Sequence, residues 1–246
     1  MLHVRSLGLD LVRVPEGEFR MGADFSAPGV NGEEVPEHAV WLSEYEIMKT
    51  PVTMGAVRAY AREQSSSAYA KWMNVAPASV LSLADNHAAV WVSWYDASEF
   101  AQWLSQASGD RWDLPTEAQW EKARRGTESR IYPWGNNRLS IAEDTEVRDP
   151  GPVAQHPERA TPYGCLDMWE NVLEWCLDWW SDDRPEQQPG VVRDPKGPTE
   201  AEFKLCRGGN SSLGKPECCY RRDSYWEPTT RNSVIGFRLI RIATGT

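Results

Sequence analysis

The chain has 246 residues, of which 41% are hydrophobic, and its 26 basic and 36 acidic residues give a formal net charge of -10 at pH 7. That charge, with no basic run, repels phosphate backbones and excludes nucleic acid as an expected partner. No stretch approaches eighteen apolar residues, so we expect no membrane span.

Composition favours one domain without a disulfide framework. Thirteen tryptophans predict extensive burial, and we expect a single domain over residues 1–246. The N-terminus lacks the apolar run of a signal peptide. We therefore expect a cytoplasmic protein as the sequence stands, or one displayed on a cell surface or virion if the N-terminus is trimmed. Five cysteines are too few and too oddly numbered for a framework of bridges, and Cys165 and Cys176 are expected in the core.

Alternating apolar residues predict three strand regions. Leu11–Gly22 reads as a short hairpin that bends at Pro15–Gly17, and His38–Met48 reads as one half-buried strand. Ile235–Ile240 is predicted as the closing strand. Between residues 132 and 188 regular periodicity disappears, which predicts long loops pinned by tryptophans.

Three polar residues mark helix starts. Thr53 can cap the helix that follows it, and Ser93 with Asp96 forms a capping-box pattern. Thr116 repeats that pattern with Gln119, whose side chain can reach back to the cap. The helices are expected over Met54–Arg62, from Ser93 to just before Gly109, and over Ala118–Ala123.

Specific sequence blocks are spread over almost the whole chain, above all Leu114–Ala123 (LPTEAQWEKA) and Asn171–Trp175 (NVLEW). These blocks resemble the formylglycine-generating-enzyme, or sulfatase-modifying-factor, family. The resemblance implies an α+β, C-type-lectin-like fold with a small twisted antiparallel sheet, two to three helices and long irregular loops. The other blocks are Phe19–Gly22, Pro51–Thr53, Val92–Ala97, Tyr132–Gly135, Gly164–Met168, Arg207–Gly209 and Gly236–Arg238.

The resemblance also implies a structural Ca²⁺. The matching ligands are the side chains of Asp167 and Glu174 and the backbone carbonyls of Glu170 and Val172, which supply the oxygens that a hard cation prefers. Glu170 departs from the family, which usually has glycine there. The alternative is that Glu174 simply accepts hydrogen bonds from loop amides.

The family's catalytic cysteine pair is incomplete. The family oxidises a substrate cysteine to formylglycine with O₂, using Cu⁺ held by two cysteines in a C-x4-C arrangement. An ungapped alignment from Arg207–Gly209 puts Leu213 at the first cysteine and Cys218 at the second, and a one-residue insertion puts Cys219 there instead. We therefore expect no catalytic residues, with Cys218 and Cys219 the ones to consider if the chain is an enzyme.

The segment before the last strand suggests a binding surface. The same fold serves in variable proteins of diversity-generating retroelements, in bacteria and phages, whose final stretch is mutagenised before a terminal GFRL-like strand. Residues 207–238 fit such a variable segment, rich in Tyr, Ser, Asn and Arg, as adaptable binding surfaces are. The expected ligand contacts are Ser211, Ser212, Leu213, Cys218, Tyr220, Arg222, Ser224, Tyr225, Trp226 and Asn232.

Two hypotheses follow from these observations. The first is a non-catalytic protein that binds a protein or cell-surface ligand through the segment before the closing strand. The second is a copper- and O₂-dependent oxidase with an altered cysteine site. Trp226 is equally compatible with ligand contact and with packing under the loop.

Overall fold

Three small sheets and four α-helices organise the part of the chain that the structure describes. The structure is a computed structural model, and it describes residues 7–24, 36–64, 72, 74–136, 150–181, 190–209 and 224–242. In chain order the strands are β1 (Leu11–Val14), β2 (Gly17–Met21), β3 (His38–Leu42), β4 (Tyr45–Met48), β5 (Arg111–Asp113), β6 (Leu173–Trp179), β7 (Val192–Arg193), β8 (Lys204–Gly208), β9 (Ser224–Trp226), β10 (Ile235–Gly236) and β11 (Ile240–Ile242).

The sheets join strands that are distant in sequence. The first sheet has the order β1-β4-β11-β5 and contains both the first and the last of the described strands. The second has the order β10-β6-β8-β9, with β10 parallel to β6 and the other neighbours antiparallel. The third is β2-β3-β7. This α+β architecture confirms the predicted fold class.

The predicted helices are confirmed together with their caps. Thr53, Ser93 and Thr116 each accept a hydrogen bond from a backbone N–H of the first turn, and the capping boxes of Ser93 and Thr116 are complete. The helices are α1 (Met54–Glu63), a short α2 (Ala78–Leu81), α3 (Trp94–Ser108) and α4 (Glu117–Arg125).

The predicted hairpin over Leu11–Gly22 is wrong. β1 pairs with β4 and β2 pairs with β3, so the chain passes from one sheet to another at Gly17, whose φ of 133° favours glycine. The predicted single strand over His38–Met48 is also divided. Ser43 interrupts it, because its N–H and hydroxyl donate to Asp194 at 2.8 and 2.9 Å.

The predicted closing strand is likewise divided between two sheets. β10 pairs with β6, whereas β11 pairs with β4 and β5. Between them the backbone carbonyls of Phe237 and Leu239 accept hydrogen bonds from Val52 and Met48, each at 2.9 Å. This break turns Arg238 into the interior, where it is fully buried.

β6 is buried on both faces, which explains why alternation did not reveal it. Leu173 and Trp175 pack in one core cluster with α3, and Cys176 lies in the other cluster with Trp120 of α4. Cys165 and Cys176 are buried free thiols, as expected for core residues. Within the described ranges, no helix has both the length and the apolar character needed to cross a bilayer.

Candidate functional site

The second sheet brings the two ends of the predicted variable segment side by side. Cys206 of β8 pairs with Ser224 of β9, so the chain that leaves β8 returns on the adjacent strand. β9 is the edge of this sheet among the described residues. The connection between the two strands therefore starts and ends at one corner of a sheet whose other strands are largely buried.

Two glycines allow the chain to leave β8 over the loop that precedes β6. A Cβ on Gly208, which has a φ of 112°, would lie 2.9 Å from the carbonyl oxygen of Val172. A Cβ on Gly209 would lie 2.0 Å from the carbonyl oxygen of Trp169. Both carbonyl oxygens belong to the backbone and cannot rotate away. A residue with a Cβ therefore fits at neither glycine position unless the backbone moves.

Arg207 anchors the end of β8, where the predicted variable segment begins, to α4. Its guanidinium is 1% exposed, and it donates to Glu121 at 2.7 Å. The other oxygen of Glu121 accepts from the Gly22 N–H at 2.8 Å and from Arg125 at 2.7 Å. Burial by itself would raise the pKa of Glu121, but Arg207, Arg125 and the Gly22 N–H outweigh it and lower that pKa to about 2.

The carboxylate of Glu121 makes the free energy of unfolding depend on pH in the acid range. The folded pKa of Glu121 lies below its ordinary value, so the group stabilises the fold above about pH 4.5 and loses this effect as the pH falls toward 2. We expect Glu121→Gln to lower the free energy of unfolding at pH 7 by about 3 kcal/mol, with a smaller loss at pH 3. Urea unfolding at both pH values measures this. Glu128→Gln, in an exposed ion pair with Arg130, is the control, and an equal loss at pH 3 and pH 7 would contradict the assignment.

The four predicted calcium ligands lie in the loop before β6 and at the start of that strand, and several of their oxygens accept hydrogen bonds from other groups. Both oxygens of Glu174 accept from Arg238, at 2.6 and 2.7 Å, and one also accepts from the Trp120 indole at 2.7 Å. Asp167 accepts from the Ala154 N–H at 2.8 Å. Glu170 is ion-paired with Arg159, and its carbonyl accepts from the Val172 N–H at 3.0 Å.

Among the predicted Ca²⁺ ligands, Glu174 is the one whose two carboxylate oxygens both already accept hydrogen bonds within the described residues. Glu174 is fully buried with a guanidinium on its carboxylate, and Glu170 contributes an ion pair where the family usually has glycine. One oxygen of Glu170 is buried and has no hydrogen-bond partner in the described part of the chain. Across those same residues, no cluster of three or more His, Cys, Asp or Glu side chains suits a metal. Calcium stays a prediction, and no function below depends on it.

An aromatic surface adjoins β9. Tyr225 stacks on Trp180 with ring centroids 4.3 Å apart and lies 5.4 Å from Phe203. Tyr225 is nevertheless 39% exposed. Stacked rings of this kind add about 0.5–1.5 kcal/mol beyond area burial, so the exposed face of Tyr225 is presented in a fixed orientation.

The other predicted contacts divide into three groups. Trp226 is partly buried against the larger core cluster, which supports the packing interpretation for this residue. The side chain of Asn232 accepts from the Val234 N–H at 3.1 Å and so shapes its own turn. Ser224 is placed in β9 by its backbone alone, and Ser211, Ser212, Leu213, Cys218, Cys219, Tyr220 and Arg222 lie outside the described residues.

Behind this surface lies a lysine enclosed by two tryptophans, which was not predicted from the sequence. The Lys204 Nζ lies 4.0 and 3.8 Å from the ring centroids of Trp94 and Trp179 and donates to the Leu177 carbonyl at 2.7 Å. Burial lowers the pKa of Lys204 to about 8, although the nearby Asp178 opposes the shift. Burial, with Glu117 adding to it, raises the pKa of Asp178 to about 7. The sequence feature that could have indicated this contact is the position of a lysine within the otherwise apolar stretch Phe203–Cys206.

Comparisons with known proteins cover nearly the whole chain. Residues 4–243 match the model of the sulfatase-modifying factor enzyme 1-like domain. The chain is 30% identical to the formylglycine-generating enzyme of Streptomyces coelicolor, over 92% of this chain and 87% of that protein. It is also 30% identical to the serine/threonine-protein kinase pkn1 of Chlamydia pneumoniae over 88% of this chain, but it spans only 36% of that protein's length.

Solved structures extend the comparison of folds. PvdO from Pseudomonas aeruginosa matches with a TM-score of 0.74 and 23% identity, over 94% of this chain and 93% of that one. Treponema denticola variable protein 1 matches with a TM-score of 0.70 and 21% identity, over 95% of each chain. At these identities the likeness concerns the fold alone.

Proposed function

This chain belongs to the sulfatase-modifying factor family, and from that premise we propose that it is a non-catalytic protein that binds a ligand through the segment between β8 and the closing strands. Family membership supplies the scaffold but does not fix the chemistry, because function depends on the residues of the site. At this site the sequence has Leu213 where the family has its first catalytic cysteine.

The observation that carries the proposal is the contrast between a rigid base and an exposed edge. Arg207 is anchored to α4 by buried ion pairs, and Gly208 and Gly209 are pressed against the loop before β6. At the other end of the segment, Tyr225 is stacked on Trp180 and still exposed. A preorganised support with an exposed tyrosine is what an adaptable binding surface requires.

The proposed ligand is a protein or a cell-surface molecule. Tyrosine and tryptophan supply large contact area at low entropic cost, and serine and arginine supply adjustable hydrogen bonds. The similarity in fold to Treponema denticola variable protein 1 supports a variable segment over residues 207–238. A nearby reverse transcriptase and a near-repeat of the 3′ end at the genomic locus are the expected signs, and the lack of both would rule out the variable type.

The proposed division between scaffold and segment can be tested by comparing the thermal stability of alanine variants in each. The proposed binding role requires the side chains of Leu213, Tyr220 and Arg222 to lie at the surface. On that proposal we expect Leu213→Ala, Tyr220→Ala and Arg222→Ala each to shift Tm by no more than about 2 °C, since surface changes stay within about 0.5 kcal/mol. Trp226→Ala, which removes a ring packed on the core, should lower Tm by several degrees. Thermal melts measure this, and equal losses for all four variants would place the segment in the scaffold.

The alternative is an oxidase with altered metal chemistry at Cys218 or Cys219. Its support is the identity to the formylglycine-generating enzyme of Streptomyces coelicolor. Native mass spectrometry after loading with Cu⁺, combined with incubation of a cysteine-containing peptide, separates the two functions. Stoichiometric copper that disappears in Cys218→Ser or Cys219→Ser, with oxidation of the peptide, would establish the oxidase; no retained copper is expected for the binding protein.

A further inference from the structure

Residues 227–234, the return stretch, connect β9 to β10 and are bonded to the start of α3. The Trp94 N–H donates to the Pro228 carbonyl at 3.0 Å, and the Trp91 N–H donates to the Asn232 carbonyl at 2.9 Å. Because both bonds join backbone atoms, they fix the path of the return stretch rather than the orientation of one side chain.

Arg231 adds a side-chain contact at the same place. Its Nε and Nη2 donate to the two carboxylate oxygens of Asp96, each at 2.9 Å. Asp96 is buried, and it also completes the capping box of α3, since one of its oxygens accepts from the N–H and the hydroxyl of Ser93 at 2.8 and 2.7 Å. A bidentate pair of guanidinium and carboxylate has a defined geometry and is stronger than a neutral hydrogen bond. The carboxylate that caps α3 therefore also holds the return stretch.

The backbone of Trp91 depends on this attachment. Its φ is 62°, in the left-handed region that a residue with a Cβ rarely adopts. Its N–H is bonded to the return stretch, and its carbonyl accepts from the Trp72 indole. Such a conformation persists only where the surroundings fix it. The return stretch thus helps to hold the loop before α3, as part of the scaffold does.

The chain changes from an exposed to an attached course within β9. Tyr225 stacks on Trp180 and is still 39% exposed. The next residue, Trp226, packs against the larger core cluster, and two residues later Pro228 is bonded to the start of α3. The end of the exposed course is therefore Tyr225, and Trp226 is the first residue that belongs to the core.

We propose that the variable part of the segment ends at Trp226, and that Arg231 is the positioning residue that fastens the return stretch to α3. This inference rests on the function proposed above and narrows the binding part of residues 207–238. It also moves Asn232 from the expected ligand contacts to the scaffold. The Asn232 carbonyl accepts from Trp91, and its side chain accepts from the Val234 N–H at 3.1 Å.

Hydrogen exchange of single amides tests the positioning role. In Arg231→Met we expect the amides of Trp91 and Trp94 to exchange at least about tenfold faster, because the local opening that exposes them no longer breaks an ion pair. Arg241→Met is the matched control, since Arg241 exposes 34% of its side chain against 32% for Arg231 and is paired with Glu46 in the first sheet. The control should leave the exchange of both tryptophan amides unchanged.

The conservative variant Arg231→Lys separates geometry from charge. It keeps the charge but loses the bidentate contact, so its exchange rates should lie between those of the wild type and Arg231→Met. Equal exchange of the Trp91 and Trp94 amides in the wild type and Arg231→Met, or the same acceleration in Arg241→Met, would refute the positioning role. Should Arg231→Met not fold, exchange in Arg231→Lys decides the question in the same way.

Two displayed libraries separate this proposal from the function on which it rests. The first randomises Leu213, Tyr220 and Arg222. The second randomises Pro228, Arg231 and Asn232. We expect most members of the first library to keep the protease resistance of the parent chain and most members of the second to lose it. Equal resistance in the two libraries would overturn the boundary at Trp226. Loss of resistance confined to the second library, with no clones from the first that bind biotinylated ubiquitin, would support the boundary and count against the proposed binding function.

Discussion

Replacing Arg238 with methionine is expected to lower the free energy of unfolding by about 3–5 kcal/mol, because the substitution leaves the carboxylate of Glu174 buried without its cation. It also removes the donors to three backbone carbonyls, two at the end of β4 and one in the loop before β6. Urea unfolding at pH 7 measures the loss.

The matched control is Arg13→Met. Arg13 is paired with Glu44 but has 70% of its side chain exposed, so a much smaller loss than for Arg238→Met is expected there. The double variant Glu174→Gln with Arg238→Met should be less destabilised than the sum of its single changes, because the two groups interact directly. Additive effects, or a loss below about 1 kcal/mol for Arg238→Met, would show that the ion pair is not what holds the closing strands.

The second large effect is expected at the base of the variable segment. Gly209→Ala should destabilise the fold by more than about 3 kcal/mol, because the new Cβ would lie 2.0 Å from the Trp169 carbonyl and only backbone movement can relieve that contact. Chemical unfolding and the yield of folded protein both measure this.

Gly151→Ala is the control for a glycine without such a contact. No atom lies within 4 Å of the position that its Cβ would occupy, so a change of less than about 1 kcal/mol is expected. Similar stability of the two alanine variants would mean that Gly209 does not lie against the loop before β6, and that the exit of the segment is not fixed as described.

Local signals allowed the helices to be predicted, because a cap and the turn that follows it are close in sequence. Thr53, Ser93 and Thr116 have the roles expected from their positions. The family blocks likewise allowed the fold class to be predicted, since LPTEAQWEKA and NVLEW are specific motifs.

The errors concern pairings that depend on distant residues. The break in the strand at Ser43 depends on Asp194, 151 residues further along the chain. β6 lacks alternation because both of its faces are buried. The partner of Glu174 was not predicted either, because Arg238, 64 residues away, reaches it only when the closing strand divides. No local pattern reveals that a buried carboxylate has a guanidinium partner.

The site therefore combines a family scaffold, in which two buried carboxylates are paired with arginines, and a sheet edge at β9 that exposes the ring of Tyr225. Glu121 with Arg207, and Glu174 with Arg238, fix the strands on either side of the segment. These pairs are buried, so changes at exposed positions of the segment leave them intact. That separation is the physical basis for proposing that binding residues vary here while the fold persists.

The most direct test of this account is a displayed library in which Leu213, Tyr220, Arg222, Ser224 and Tyr225 are randomised together. We expect most members to resist proteolysis as the parent chain does, and we expect to select clones that bind a biotinylated test protein such as ubiquitin. Their affinity should depend on the randomised positions. Loss of protease resistance in most members, or binding unaffected when those positions revert to the parent residues, would contradict a binding segment carried on an independent scaffold.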